Sequence, residues 1–278
     1  MSLKKGQYYR LFDIYTYIVD NFSHVSRSQV KELLSFVYKI PYENLIFFFQ
    51  HPFPVNENLL NVLQKVEKKY PISYITKKRH FYGYDFYVDE NVLIPRYETE
   101  ILVEEALKRV NKGIMLDLCT GSGCIPISMI KNNENLKAVA VDISFRALQI
   151  AWKNAVNLEV NERFIPVCFD VLQIDNLFKQ GIYFDIITCN PPYVDRMDNY
   201  EESILYEPEE ALFAEDEGLI FYKKLLYKLP NLCKKDGFII FEVPHNKRDN
   251  LFEIFKGREI ELKKDLSGKE RVLIWKNS

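Results

Sequence analysis

From Ile114 onward short apolar runs alternate with helical stretches, and that rhythm leaves few folds open. Residues 114–118, 138–141, 164–168, 184–189 and 238–243 read as five strands, with helices over 146–156 and 218–229 among them. Alternating strands and helices predict a mostly parallel sheet with helices on both faces. Such sheets gather ligands beyond the carboxyl ends of their strands, near the point where the strand order reverses. The polar residues that stand out against the apolar runs fall at those ends: Asp117, Asp142, Asp170 and Asn190.

The region upstream has a different period. Leu11, Ile14 and Ile18 recur at helical spacing. Ser26 and Gln29 have the spacing of a capping box, opening a segment with Val30, Leu33, Leu34 and Val37 on one face, which Pro41 ends. A third helix is expected from Asn56, carrying Leu59, Leu60, Leu63 and Val66 and bounded by Pro71. Residues 1–75 therefore read as a small helical domain. It holds no polar constellation suited to chemistry, so its expected role is partner recognition. Residues 76–96 read as a β-hairpin linker, with aromatic runs at 80–82 and 84–88 around Gly83. The main domain spans 97–278 and opens on a helix from Glu98 with Val103, Leu107 and Val110 on one side.

Charge and cysteine usage exclude several classes. The 278 residues hold 37 Lys and Arg against 39 Asp and Glu, a net charge of -2. A nucleic-acid binder ordinarily carries a basic excess, so direct nucleic-acid binding is not expected. Lys68-Lys69 and Lys77-Lys78-Arg79 read as solvated surface. The five cysteines form no C-x-x-C pair, and the four histidines have no ligand spacing, so no metal is expected. Cys119, Cys168 and Cys189 lie beside strands and read as buried small residues. The start, Met1-Ser2-Leu3-Lys4-Lys5-Gly6, has no apolar run behind it, and no segment approaches the ~18 apolar residues of a membrane helix. The expectation is a cytoplasmic protein with no membrane partner.

The turn Asp117-Leu118-Cys119-Thr120-Gly121-Ser122-Gly123 follows the first strand. Gly121 and Gly123 let backbone approach a ligand closely. Asp142 ends the second strand, where a carboxylate can accept both hydroxyls of an adenosine ribose. This pattern leaves NAD and S-adenosylmethionine both open. Two features lean away from NAD: the third glycine of G-x-G-x-x-G is replaced by Pro126, and that proline withholds an N–H a pyrophosphate would use. Asp170 can accept the adenine amino group.

Asn190-Pro191-Pro192-Tyr193 follows the fourth strand. Two prolines fix φ and make the segment stiff. An amide or aromatic amine nitrogen is planar and a poor nucleophile. The Asn190 side-chain oxygen and the Pro191 carbonyl can grip its two N–H groups and aim the lone pair, and such bonds favour the transition state as the nitrogen rehybridises. Tyr193 is placed to stack on the flat substrate. Asn190, Pro191 and Tyr193 are the expected catalytic residues, and Asn190, Pro191, Pro192 and Tyr193 the expected substrate site.

The tetrapeptide resembles the motif shared by N6-adenine methyltransferases and protein-glutamine N5-methyltransferases. Three further stretches resemble only the latter, the family that modifies the glutamine of the Gly-Gly-Gln loop in peptide chain release factors. They are Val92-Leu93-Ile94-Pro95-Arg96-Tyr97-Glu98-Thr99-Glu100 with Pro71-Ile72-Ser73-Tyr74-Ile75 before it, Glu207-Pro208-Glu209-Glu210-Ala211-Leu212-Phe213 continuing to Gly218-Leu219, and Asp265-Leu266-Ser267-Gly268-Lys269-Glu270-Arg271. Their order matches along nearly the whole chain. The resemblance implies an α/β fold, a seven-stranded Rossmann-like class I methyltransferase sheet with one antiparallel member among its last strands, the final one at 271–275, behind a small N-terminal helical domain. It implies S-adenosyl-L-methionine as cofactor, with Thr120, Gly121, Ser122 and Gly123 on its methionine side, Asp142 on the ribose, Asp170 and Val171 at the adenine, and Asn190 between cofactor and substrate. It implies a release factor as partner. The chain departs from the family at Cys119, in place of the first glycine of the turn, at Lys77 for glycine, at Tyr97 for proline, and over Glu242-Val243-Pro244-His245-Asn246-Lys247. The alternative reading, an N6-adenine methyltransferase on DNA or RNA, would have to flip a base from its stack, and the chain shows neither a basic balance nor a separate target-reading domain. A third, a non-catalytic cofactor-binding protein, would make the helical region an adaptor.

Overall fold

The computed structural model describes residues 3–197, 200 and 202–278, so Met1 and Ser2 of the segment read for a targeting signal lie outside the described residues. Contacts divide the chain into Met1–Lys78 with Tyr200–Tyr206, and Arg79–Asn199 with Glu207–Ser278. The helical unit thus runs three residues past the expected 75, and it takes in a distant segment that no local period marks. The expected linker hairpin belongs to the second unit.

In the first unit, strand β1 (Tyr8–Arg10) leads into α1 (Leu11–Asn21) and α2 (Arg27–Tyr38), and β2 (Pro52–Pro54) pairs antiparallel with β1 before α3 (Glu57–Glu67) and α4 (Ile72–Thr76). The starts of α2 and α3 are set by side chains. Ser26 Oγ accepts the Gln29 N–H at 3.3 Å and Gln29 Oε1 accepts the Ser26 N–H at 2.9 Å, which completes the capping box. Asn56 caps α3 by accepting the Leu59 N–H at 2.8 Å. Each cap contributes about 1 kcal/mol. Leu11, Ile14, Ile18, Val30, Leu33, Leu34, Leu59, Leu63 and Val66 share one core; Val62 joins them there, whereas Leu60 is only partly buried. Lys77 closes α4 with φ +57°. This is the left-handed cap position that glycine fills most easily, which accounts for the glycine of the resembled family.

In the second unit, β3 (Arg79–Phe81) and β4 (Tyr84–Phe86) form a hairpin around Tyr82 and Gly83, both at positive φ as a two-residue hairpin turn requires. A 3-10 turn over Tyr97–Thr99 precedes α5 (Glu100–Leu107), so the helix expected from Glu98 starts two residues later and Val110 lies beyond its end. Then follow β5 (Gly113–Leu118), α6 (Cys124–Asn132), β6 (Leu136–Asp142), α7 (Phe145–Asn157), β7 (Phe164–Cys168), β8 (Phe184–Cys189), α8 (Glu209–Leu212), α9 (Ile220–Leu225), β9 (Cys233–Glu242), α10 (Arg248–Ile254), β10 (Ile260–Lys264) and β11 (Glu270–Lys276).

The sheet order is β10-β11-β9-β8-β5-β6-β7. All neighbours from β9 to β7 are parallel, and β11 runs antiparallel to both β9 and β10. This is the seven-stranded sheet with one reversed member that the resemblance implies. Its two faces bury separate apolar clusters, one with Met115, Ala138 and Ile186, the other with Leu116, Val141 and Ile187. β10 escapes a sequence reading because it is an edge strand whose Ile260 and Leu262 are only partly buried. The helix expected over 218–229 shrinks to α9. The expectation of three buried cysteines is corrected: Cys189 is buried, Cys119 intermediate and Cys168 exposed. Cys168 ends β7, one of the two edge strands of the sheet.

Candidate active site

From β5 the chain moves outward through β6 and β7, then returns to lay β8 on the other side of β5. The strand order reverses between β5 and β8. Leu118 pairs with Cys189, so the turn after β5 and the tetrapeptide after β8 leave the sheet side by side. A cavity of about 370 Å³ opens here, within the range of small-molecule sites. Thr120, Gly121, Ser122, Asp142, Asp170, Val171, Asn190 and Pro192 all line it. Gly123, Pro191 and Tyr193 are not on its wall.

Each exception has a physical cause. Gly123 takes φ +78° at the start of α6, and a Cβ there would stand 2.8 Å from Ile127 Cδ1 and 3.1 Å from Ala151 Cβ. The glycine serves close packing of α6 on α7, not ligand approach. Pro191 is buried. The phenol of Tyr193 donates to Glu242 Oε1 at 3.0 Å, and its ring packs with the core on one sheet face. A buried carboxylate needs a donor, and Tyr193 supplies one, so it is not placed to stack on a ligand in the cavity.

Asp142 is held from below. Its Oδ2 accepts the Gly121 N–H at 2.8 Å and its Oδ1 accepts the Ser144 N–H at 2.9 Å. Each oxygen keeps a second lone pair for a ligand. Burial pushes its carboxyl above the ordinary range. Asp170 caps the short helix Val171–Asn176 by accepting the Leu172 N–H at 2.9 Å, and also accepts from Gln173 Nε2 at 3.1 Å. Cys119 takes φ +58°. The position where the resembled family has glycine is thus a left-handed one, and its Cβ costs roughly 1–2 kcal/mol there. The thiol is raised well above its ordinary value by the neighbouring Cys189 thiol and by burial.

Behind the turn, Asp117 is fully buried and accepts the Thr188 hydroxyl at 2.6 Å. Burial pushes its carboxyl up to about 7, with the nearby Thr120 and Thr188 hydroxyls opposing. A carboxyl raised above its unfolded value stabilises the fold at low pH and loses that contribution as pH rises through the folded value. Between about pH 4 and 7 this group should therefore withdraw up to roughly 4 kcal/mol. The expected result is that urea unfolding midpoints fall from pH 5 to pH 8, and that Asp117→Asn flattens part of the fall. An unchanged slope in the variant would refute the assignment.

The wall also contains residues that periodicity does not single out. Asn91, Val92, Leu93, Pro95, Arg96 and Thr99 form one side, and Glu210, Ala211 and Phe213 another. One carboxylate joins these segments. Glu207 Oε2 accepts the Ile94 N–H at 2.9 Å and Oε1 accepts Arg96 Nη2 at 2.5 Å, with Glu207 only 5% exposed. The Arg96 side chain stays 34% exposed while Glu207 is buried, and an ion pair of this kind is weak evidence for net stability. The partners lie more than a hundred residues apart, so the only sequence signal was that both fall in the stretches carrying the resemblance.

The lining chemistry fits S-adenosylmethionine. Among the described residues the wall bears three carboxylates, Asp142, Asp170 and Glu210, and one cation, Arg96, which is engaged by Glu207. A cationic sulfonium suits such a wall and a pyrophosphate does not. The Thr120 and Ser122 side chains, both buried, lie on this wall. Among the described residues no group of three or more His, Cys, Asp or Glu could hold a metal ion, and no helix is long and apolar enough to cross a membrane.

Comparison with known proteins agrees. The family described as "Methyltransferase small domain" matches residues 97–228. A release factor glutamine methyltransferase of Flavobacterium psychrophilum is 39% identical over 225 residues, covering 76% of this chain and 77% of the relative. Another, of Mycoplasma mycoides subsp. mycoides SC, is 30% identical over 280 residues, covering 96% and 98%. Among solved structures, a methyltransferase from Pyrococcus furiosus superposes with a TM-score of 0.52 at 18% identity, covering 78% of this chain and 98% of that one; this likeness bears on the fold alone. With a reversed-strand sheet, an acid-lined cavity at its switch point and relatives matching nearly end to end, the chain belongs to the release factor glutamine methyltransferase family.

Proposed function

We propose that this enzyme transfers the methyl group of S-adenosylmethionine to the side-chain amide nitrogen of the glutamine in the Gly-Gly-Gln loop of a peptide chain release factor. The observation that carries the reading is the meeting of Asn190 with Thr120, Gly121, Ser122 and Asp142 on one cavity wall. The bound cofactor supplies an electrophilic methyl on a sulfonium sulfur. Thr120 to Ser122 hold its methionine side, Asp142 its ribose, and Asp170 with Val171 its adenine.

The chain's own task is geometric. The Asn190 side-chain oxygen accepts one N–H of the glutamine amide. Gripped this way, the nitrogen is turned toward the methyl with its lone pair forward. Well-aligned reactants can gain ~7–11 kcal/mol from positioning alone. After transfer the nitrogen carries one proton too many and is acidic enough to lose it to water, so no strong general base is assigned.

In this reading the helical unit recognises the release factor. Its 3-10 segment Tyr42–Phe48 exposes Tyr42, Ile46 and Phe47, at 48, 61 and 73%, and exposed apolar clusters of this kind mark interaction surfaces. The enzyme then acts in the cytoplasm during translation termination and needs no nucleic-acid contact of its own. Incubation of the purified protein with methyl-labelled cofactor and a release factor should place label on the Gly-Gly-Gln glutamine and none on a Gln→Ala substrate. Label on DNA or RNA instead would overturn the proposal.

A further inference from the structure

Stiffness does not by itself place the tetrapeptide. Pro191 and Pro192 have no N–H groups, so the middle of the segment cannot be tied down by donors of its own. Its position must be set at its two ends. One end is the last residue of β8, Cys189, which is hydrogen-bonded into the sheet beside Phe241 of β9. The other end is Tyr193.

Several contacts converge on that second end. Glu242, the residue after Phe241, is 2% exposed and accepts the Tyr193 hydroxyl at 3.0 Å; its other oxygen has no hydrogen-bond partner among the described residues. The Glu242 backbone is itself fixed, because its carbonyl accepts the Tyr222 hydroxyl at 2.8 Å. Gly218, at φ +80°, lies against the Tyr193 backbone so closely that a Cβ would stand 2.2 Å from the Tyr193 carbonyl oxygen. Beyond it, the Val194 N–H donates to the Leu212 carbonyl at 2.9 Å and the Ala214 N–H to the Val194 carbonyl at 3.1 Å.

We propose that Glu242 is a positioning residue: through the Tyr193 hydroxyl it anchors the far end of the tetrapeptide and so holds Asn190 at its place on the cavity wall. The role needs an acceptor at Glu242, not a charge. It rests on the methyl-transfer reading above, and it assigns Tyr193 to the anchor and not to substrate stacking. A displacement of about 1 Å at a reacting centre can cost about a hundredfold in rate, which sets the scale of the effect.

The test compares Tyr193→Phe, Glu242→Ala, Glu242→Gln and the double variant Tyr193→Phe/Glu242→Ala in the full chain. Methyl transfer to a release factor, S-adenosylmethionine affinity by calorimetry, and amide hydrogen exchange at Val194 and Ala214 are read for each. Tyr193→Phe and Glu242→Ala should each lower kcat roughly 10- to 100-fold, with cofactor Kd within about threefold and exchange at Val194 and Ala214 accelerated. The double variant should be no worse than Glu242→Ala, since both remove the same bond. Glu242→Gln keeps an acceptor oxygen and should recover most of the rate. Full kcat in Tyr193→Phe, additive losses in the double variant, or a Glu242→Gln as impaired as Glu242→Ala would each overturn the proposal. If the unaltered enzyme transfers no methyl to release factors, the functional reading fails, while faster exchange in the variants would still establish the anchor.

Discussion

Asn190→Ala should lower kcat for release factor methylation by roughly two to three orders of magnitude while leaving S-adenosylmethionine affinity within about threefold. In the proposed mechanism the side-chain oxygen is the acceptor whose bond to the substrate N–H strengthens as the nitrogen leaves planarity, so its loss is felt in the transition state more than in the ground state. Asn190 follows β8 on the cavity wall and is only partly buried. Single-turnover rates with labelled cofactor and calorimetric titration of the same variant separate the two quantities. A Kd that rises in step with the fall in kcat would move Asn190 from the substrate to the cofactor side of the site.

The converse pattern is expected of Asp142→Ala. S-adenosylmethionine Kd should rise about a hundredfold, near 2.7 kcal/mol, with kcat at saturating cofactor falling much less. Two losses combine. The acceptor for the ribose hydroxyls goes, and so do the bonds from the Gly121 and Ser144 N–H groups that shape the turn. Asp142→Asn keeps one carbonyl oxygen and should fall between the two. Because burial raises the Asp142 carboxyl, cofactor binding should also strengthen as pH rises and the carboxylate forms. An unaltered Kd in Asp142→Ala would remove the ribose assignment.

The two variants separate because the site has two independent supports. In the proposed reading the cofactor side is built on β5 and β6, whose turn is held by Asp142, and the substrate side is built on β8 and secured through Tyr193 and Glu242. They meet only because β5 and β8 are neighbours across the point where the strand order reverses.

Much of this was encoded locally. A strand is signalled by a run of apolar residues, a helix start by Ser26 with Gln29 or by Asn56, and a strand end by an acid or an asparagine, each within a few positions. The alternation from Ile114 onward determined the parallel sheet, and the polar strand ends determined where its cavity opens. Tertiary structure alone decided which neighbouring residues reach that cavity. Gly121 faces open space whereas Gly123 packs against Ala151 of α7. Tyr193 turns to Glu242, and Glu207 holds the Ile94 N–H and the wall residue Arg96 from 113 and 111 positions away. The physical reason is that backbone conformation follows from a residue and its immediate neighbours, whereas the direction a side chain takes is settled by what a buried glycine leaves room for and by which buried carboxylate requires a donor.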